Sequence, residues 1–247
     1  MNLLLVEASE VQNDGYVVLR DRRLEHINRI LKLKQGDQLR VGVLNGNCGS
    51  GEIISIDRSE AVLQIAVDDA PPTPLALTVV LALPRPKMLR RILRTLAETG
   101  VKDIHLINSF RVEKSYWQSP LLENSKLREA LRSGLEQAMD TVLPRVELHS
   151  RFRPFAEDAL PGLCLGRTAL LADPGAPANF PSRPRMPALL LIGPEGGFIP
   201  FECELLCAAG AFPVNMGPRI LRVETALQCA LGPYLLNRQS FGSRAQR

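Results

Sequence analysis

The chain has 247 residues, a formal charge of +4, 45% hydrophobic residues and 23% charged ones. That balance supports a packed core and excludes wholesale disorder, and the length allows a small domain followed by a medium one. No run of about 18 apolar residues occurs and the N-terminus has no basic lead into a cleavable segment, so a soluble cytoplasmic protein with no membrane partner is expected. The five cysteines form no C-x-x-C pair and the three histidines (His26, His105, His149) lie far from them in sequence, so no metal is expected.

Short runs rich in Val, Ile and Leu open the chain: Leu3–Val6, Tyr16–Leu19, Gln38–Leu44, Gly51–Ile56 and Ala61–Val67. Turn residues separate them, so each is expected as a strand. One helical stretch interrupts, Arg22–Leu31, with Leu24, Ile27 and Leu31 on one face. So many strands in so little chain predict a small barrel over residues 1–70. Gly46, Gly49 and Gly51 fall between two strands, where a hairpin is the expected reading. Pro71-Pro72-Thr73-Pro74 is stiff, and 71–75 is the expected linker.

Beyond it the pattern changes. Leu77–Leu83 is a near-continuous apolar run, as in a parallel strand buried on both faces. Then follow helix Lys87–Thr99, stopped by Gly100, strand Asp103–Asn108, helix Asn124–Val142 and strands Val146–His149, Ala169–Ala172 and Ala188–Ile192. Helix Pro200–Ala209, strand Phe212–Asn215 and helix Ile220–Asn237 complete the series. The alternation predicts an α/β domain with a parallel sheet over 76–240, and a flexible tail at 241–247.

Two segments point to chemistry. In Leu189–Phe198, LLLIGPEGGF, a buried strand runs into Gly193-Pro194-Glu195-Gly196-Gly197. A plain strand–helix turn needs one glycine; this loop has more, where ligands sit in open α/β sheets. In Met216–Ala226, MGPRILRVETA, Gly217-Pro218 turns the chain and Arg219, Arg222, Glu224 and Thr225 crowd a helix start. Arginines are disfavoured there by the helix dipole. Alone, that segment reads as a surface neighbourhood; on consecutive strands, the two loops meet at one sheet edge. No dinucleotide fingerprint, P-loop, H-E-x-x-H or G-x-S-x-G is present, which excludes the commonest nucleotide, zinc-protease and serine-hydrolase sites.

From Arg85 to Lys114 there are eight Lys/Arg against three Asp/Glu. Lys87, Arg90, Arg91 and Arg94 form one helical stripe opposite Leu89, Ile92, Leu93 and Leu96. Only Glu98 is spaced to pair with Arg94, so the stripe is expected to stay mostly unneutralised and to suit phosphates, although most charge stripes are simply solvated faces. Tyr116 and Trp117 lie nearby, and Trp117 is expected as a core anchor.

LLLIGPEGGF followed by MGPRILRVETA resembles the C-terminal signature of the RsmE family, the uridine N3-methyltransferases of small-subunit ribosomal RNA within the SPOUT superfamily. Weaker likenesses fall in the family's order: Leu33 to Asp37, Leu83-Pro84-Arg85 with Lys87-Met88, Ala97 to Val101, Arg111, Glu136-Gln137 and Asp173-Pro174. The chain departs from the pattern at Met1 to Leu4, by one residue within Leu83–Met88, and at Ala138 to Thr141. These departures fall on segments that the resemblance assigns to RNA contact.

The resemblance implies a PUA-like β-barrel that binds RNA, then a SPOUT domain whose C-terminal chain forms a trefoil knot. It implies a homodimer acting on small-subunit ribosomal RNA or the assembling small subunit, with S-adenosylmethionine as methyl donor. By position, the cofactor would be held by Leu171, Ala172 and Asp173; by Ile192, Gly193, Pro194, Glu195, Gly196 and Gly197; and by Met216, Gly217, Ile220, Leu221 and Arg222. RNA would be held by Lys87, Arg90, Arg91, Arg94 and Arg111. Arg222 would stabilise charge on the uracil carbonyls, with Glu195 or Glu224 taking the proton or fixing a loop. Two rivals stand beside this: methylation of another nucleotide atom, such as a ribose 2′-hydroxyl, and a non-catalytic assembly factor that keeps the fold.

Overall fold

The computed structural model describes residues 2–236. By its contacts the chain divides into two units: one runs to Pro72 and takes in Leu131–Leu143, the other comprises Thr73–Ala130 and the chain from Pro144 on.

The first unit holds β1 (Leu4–Val6), β2 (Tyr16–Leu19), α1 (Arg22–His26), β3 (Gln38–Val43), β4 (Cys48–Ile56) and β5 (Ala61–Asp69). Its sheet runs β1-β3-β4-β5-β2, parallel between β1 and β3 and antiparallel elsewhere. Alternate residues point inward, so Val17, Leu19, Val41, Ile53 and Leu63 meet Leu4, Val6 and Ile27 in one buried core. Asp21 caps α1 by accepting from the Arg23 N–H at 2.9 Å, and the helix widens into a π-helical turn, Ile27–Leu31, that stops at left-handed Lys32. The hairpin expected around the glycines is displaced: β4 already begins at Cys48, and Gly49 lies within the strand. A Cβ on Gly49 would stand 1.8 Å from the Ala66 carbonyl oxygen, so this glycine admits the neighbouring backbone rather than making a turn.

The second unit contains β6 (Leu75–Ala82), α2 (Pro86–Glu98), β7 (Val101–Ile107), α3 (Asn124–Ala138, whose end from Leu131 belongs to the first unit) and β8 (Arg145–His149). Next come α4 (Phe152–Pro154) and α5 (Leu160–Cys164), joined by a π-helical turn, then β9 (Thr168–Ala172), β10 (Ala188–Ile192), α6 (Pro200–Ala208), β11 (Phe212–Val214) and α7 (Val223–Leu236). The sheet order is β11-β9-β10-β6-β7-β8 and every pair is parallel. Every residue of β10 is buried, as its unbroken apolar run requires. Pro86 preorganises the first turn of α2, its Leu89, Ile92, Leu93 and Leu96 are buried, and Gly100 at φ +81° takes the chain out. Each of those leucines contributes about 2 kcal/mol by burial.

Two helices are shorter than expected. α3 ends at Ala138, before left-handed Met139, so Val142 is not helical. α7 starts at Val223, because Gly217 at φ +101° and Pro218 keep Ile220 to Arg222 in a loop. Asn237 and the tail at 241–247 lie outside the described residues. Among the described residues no helix is long and apolar enough to cross a membrane.

Candidate active site

Parallel pairing sends the C-terminal ends of β9, β10 and β11 to one edge, and the loops they release, around Asp173, Gly193–Phe198 and Met216–Leu221, enclose a cavity of about 440 Å³. Side chains tie the loops together. Asn215 donates from Nδ2 to the Ala176 and Ala178 carbonyls (2.8 and 3.1 Å), and its Oδ1 accepts from the Gly217 N–H at 3.0 Å. Asp173 Oδ1 accepts from the Gly175 N–H at 2.9 Å, and the Asp173 N–H donates to the Val214 carbonyl at 3.0 Å. Gly197 and Gly217 both take positive φ, +73° and +101°, and a Cβ on either would meet nothing within 4 Å. Backbone conformation, not crowding, demands glycine at these two positions.

Of the residues expected to hold a cofactor, Ala172, Asp173, Ile192 to Gly197, Met216, Gly217, Ile220 and Leu221 line this cavity. Leu171 does not: it is fully buried within β9. Arg222 lies on the neighbouring cavity instead. The walls also include Pro174, Gly175, Phe198, Cys203, Arg219, Val223 and Ala226. Arg219, Val223 and Ala226 belong to the Met216–Ala226 motif; Cys203 sits within α6, beyond the glycine loop, and carries no sequence signal for the site. Burial, reinforced by Asp173, pushes the Cys203 thiol above its ordinary value, so it stays protonated near neutral pH.

A second cavity, of about 580 Å³, is lined by Arg85, Lys87, Met88, Arg91, Glu195, Ile220, Leu221, Arg222 and Glu224. It shares Glu195, Ile220 and Leu221 with the first, so the two spaces adjoin. All three catalytic candidates, the charge-stabilising Arg222 and the proton-accepting Glu195 or Glu224, line it. Arg85 reaches the Glu195 carboxylate at 3.1 Å and braces the shared wall. Glu224 occupies the first turn of α7, where the helix dipole favours a carboxylate.

The basic stripe is divided. Lys87 and Arg91 turn into the second cavity. Arg90 pairs with Glu129 at 2.6 Å and Arg94 with Glu98 at 2.9 Å. The stripe is therefore half neutralised, because α3 supplies a carboxylate that helical spacing alone does not reveal. Arg111 donates from Nη1 to the Gly196 carbonyl and so braces the glycine loop. Trp117 is half-buried and donates from Nε1 to Asn108 Oδ1 at 3.0 Å.

One supporting carboxylate escaped the sequence reading. Glu202, 3% exposed, accepts from the Phe110 N–H at 2.7 Å and from the Ile199 N–H at 3.0 Å. It fixes the start of α6 just after the glycine loop.

With this geometry in place, comparison with known proteins is decisive. An RNA methyltransferase domain model matches residues 71–233. The ribosomal RNA small subunit methyltransferase E of Treponema pallidum is 34% identical over 261 aligned positions, covering 100% of this chain and 95% of that one. The chain belongs to the ribosomal RNA small subunit methyltransferase E family. A family member from Borreliella burgdorferi is 27% identical over 92% of this chain and 94% of its own length. The crystal structure of the family member from Neisseria gonorrhoeae, bound to S-adenosylmethionine, superposes with a TM-score of 0.75, 22% identity and coverage of 93% and 95% of the two chains. At that identity the likeness establishes a common fold.

Proposed function

We propose that this protein transfers a methyl group from S-adenosylmethionine to N3 of an unpaired uridine in small-subunit ribosomal RNA. The observation that carries the reading is the pair of adjoining cavities with the shared wall Glu195, Ile220 and Leu221. Direct transfer between two bound molecules needs donor and acceptor sites that open onto each other.

The first cavity suits a nucleoside donor. Its volume falls within the range of small-molecule sites, its glycine loops admit close backbone approach, and Ile192, Met216, Leu221 and Ala226 supply apolar surface for a base. When bound, S-adenosylmethionine supplies an already activated methyl group. The protein's own work is positioning and charge management. Loss of the N3 proton builds negative charge on the flanking carbonyl oxygens; it is discharged as the N–CH₃ bond forms and the S–CH₃ bond breaks, leaving neutral S-adenosylhomocysteine. Arg222, with Lys87 and Arg91 on the same cavity, meets that charge. Glu224 takes the N3 proton; Glu195, held by Arg85, shapes the wall.

The finer architecture belongs to the same reading. The five strands of the first unit form a PUA-like barrel that binds RNA within residues 1–70, ahead of a SPOUT domain over 76–240. A trefoil knot accounts for the strand order, in which β9 lies between β10 and β11 and all three feed one cavity. Ile220 is 88% exposed on the rim, an apolar side chain that a second copy in a homodimer would cover. The expected setting is the cytoplasm, where ribosomal subunits are assembled.

Nucleoside mass spectrometry of small-subunit RNA treated with the purified protein and S-adenosylmethionine tests the reading. Formation of 3-methyluridine is expected; a ribose-methylated nucleoside, or no methylation, would overturn it.

A further inference from the structure

Two of the three histidines scattered in the sequence, His105 and His149, meet in the structure. His105 on β7 and His149 at the end of β8 stack with ring centroids 5.2 Å apart, and His105 Nδ1 lies 3.0 Å from His149 Nε2. Glu147 Oε2 completes a triangle, 3.4 Å from His105 Nδ1 and 3.6 Å from His149 Nε2. The parallel register produces this: His105 stands opposite Glu147, and His149 follows two residues later on the same face.

We propose that His105, Glu147 and His149 form a binding site for one divalent transition-metal ion, Zn²⁺ foremost. This inference goes beyond the methyltransferase reading and does not depend on it. It replaces the expectation of no metal, which rested on sequence spacing alone.

Around a tetrahedral ion with bonds of about 2.0 Å, donor atoms stand roughly 3.3 Å apart. The three edges of the triangle, 3.0, 3.4 and 3.6 Å, bracket that value. Two imidazoles and one carboxylate select zinc and its neighbours over magnesium or calcium, which prefer all-oxygen sites. The supporting groups are also those a metal site uses. His105 Nε2, on the far side of its ring, is buried without a good hydrogen bond, and Asp103 Oδ1 lies 3.4 Å from it. Asp103 is itself held by the Thr78 hydroxyl at 2.9 Å. A proton on Nε2, facing Asp103, leaves the Nδ1 lone pair facing His149 and Glu147. Arg145 occupies the other oxygen of Glu147, Oε1, and so directs Oε2 toward the imidazoles. Phe155, 4.8 Å from the His149 ring, shields the group.

The site would clamp β7 to β8, the edge strand, just before the chain leaves β7 for the Asn108–Arg111 segment that braces the glycine loop. Its place is structural, since none of the three ligands lines either cavity.

The test uses untagged, chelator-stripped full-length protein titrated with Zn²⁺ against a chromogenic chelator. One ion per chain is expected, with affinity lowered roughly tenfold or more in His149→Ala and in Glu147→Gln. It should be unchanged in the Cys203→Ser/Cys207→Ser double variant. The Co²⁺-loaded protein should give visible d–d bands without a thiolate charge-transfer band. Should His149→Ala fail to fold by circular dichroism, Glu147→Gln, which keeps the size and replaces one oxygen, decides. No Zn²⁺ bound by the folded wild type, affinity unchanged in the ligand variants, or affinity lost on cysteine replacement would each overturn the proposal.

Discussion

The Glu202 carboxylate accepts a hydrogen bond from the Phe110 N–H at 2.7 Å, joining positions 92 residues apart in sequence. Through its second oxygen it also holds the Ile199 N–H. One buried side chain thus fixes the segment after β7 against the start of α6, on either side of the glycine loop.

Glu202→Ala leaves two backbone donors without their acceptor, and the cost is about 2–4 kcal/mol. Urea denaturation measures it directly. Glu202→Gln, which keeps one acceptor oxygen, should lose less than Glu202→Ala; equal stability of Glu202→Ala and wild type would remove Glu202 from the scaffold of the site.

Arg222 lines the second cavity, proposed for the acceptor, and not the first, proposed for the donor. Arg222→Ala should therefore slow methyl transfer by a factor on the order of 10²–10³. Affinity for S-adenosylhomocysteine, read by calorimetry, should stay within about threefold of wild type, since in the proposed mechanism the side chain supports charge on the acceptor alone. A variant with wild-type rate would exclude the role.

Gly49→Ala places a methyl 1.8 Å from the Ala66 carbonyl oxygen and 2.7 Å from Val67 Cα, contacts made with backbone that has no side-chain freedom to yield. Expression as aggregated protein, or a melting temperature lowered by roughly 10 °C or more, is expected. Gly162→Ala is the control: its Cβ meets nothing within 4 Å, and it should change stability little.

The buried Arg23 guanidinium is held by Glu10 and Asp21 and donates to the Leu5 carbonyl at 2.9 Å. The hydrogen bond from Arg23 holds Glu10 below its ordinary 4.5. For Asp21, the bonds and charge of Arg23 outweigh burial, which pushes the other way, and hold it below 3.8. A lowered folded-state value gives stability that is complete above the unfolded value and is lost as pH falls through the folded one. The advantage of wild type over Glu10→Gln should therefore be constant near neutrality and shrink below about pH 4.5, vanishing under the folded-state value. Chemical denaturation across that range checks it; a difference that grows on acidification would contradict the assignment.

The loops that line the first cavity are legible because their signals are local: a buried strand, a cluster of glycines and a second glycine turn after the next strand. Sheet order was legible only as a parallel class, since the neighbours of β9 are chosen by packing. What the sequence hid was long-range. Arg90 reads as free until α3 brings Glu129 to it, and nothing in the sequence joins Glu202 to the Phe110 N–H. His105 and His149 are 44 residues apart, and only the register of β7 against β8 makes them neighbours. α7 starts at Val223 rather than the expected Ile220: Ile220 fits a helical apolar face equally well, but the Gly217-Pro218 turn holds it in a loop at 88% exposure.

In the proposed function, the glycine loops after β10 and β11, on either side of β9, form the methyl-donor site. Calorimetric titration with S-adenosylhomocysteine tests it most directly, on wild type and on Gly197→Val, where a β-branched residue is forced to φ +73°. One ligand per chain is expected for wild type, with affinity weakened about tenfold or more in the variant. Binding absent from the folded wild type, or equally tight in both proteins, would contradict it.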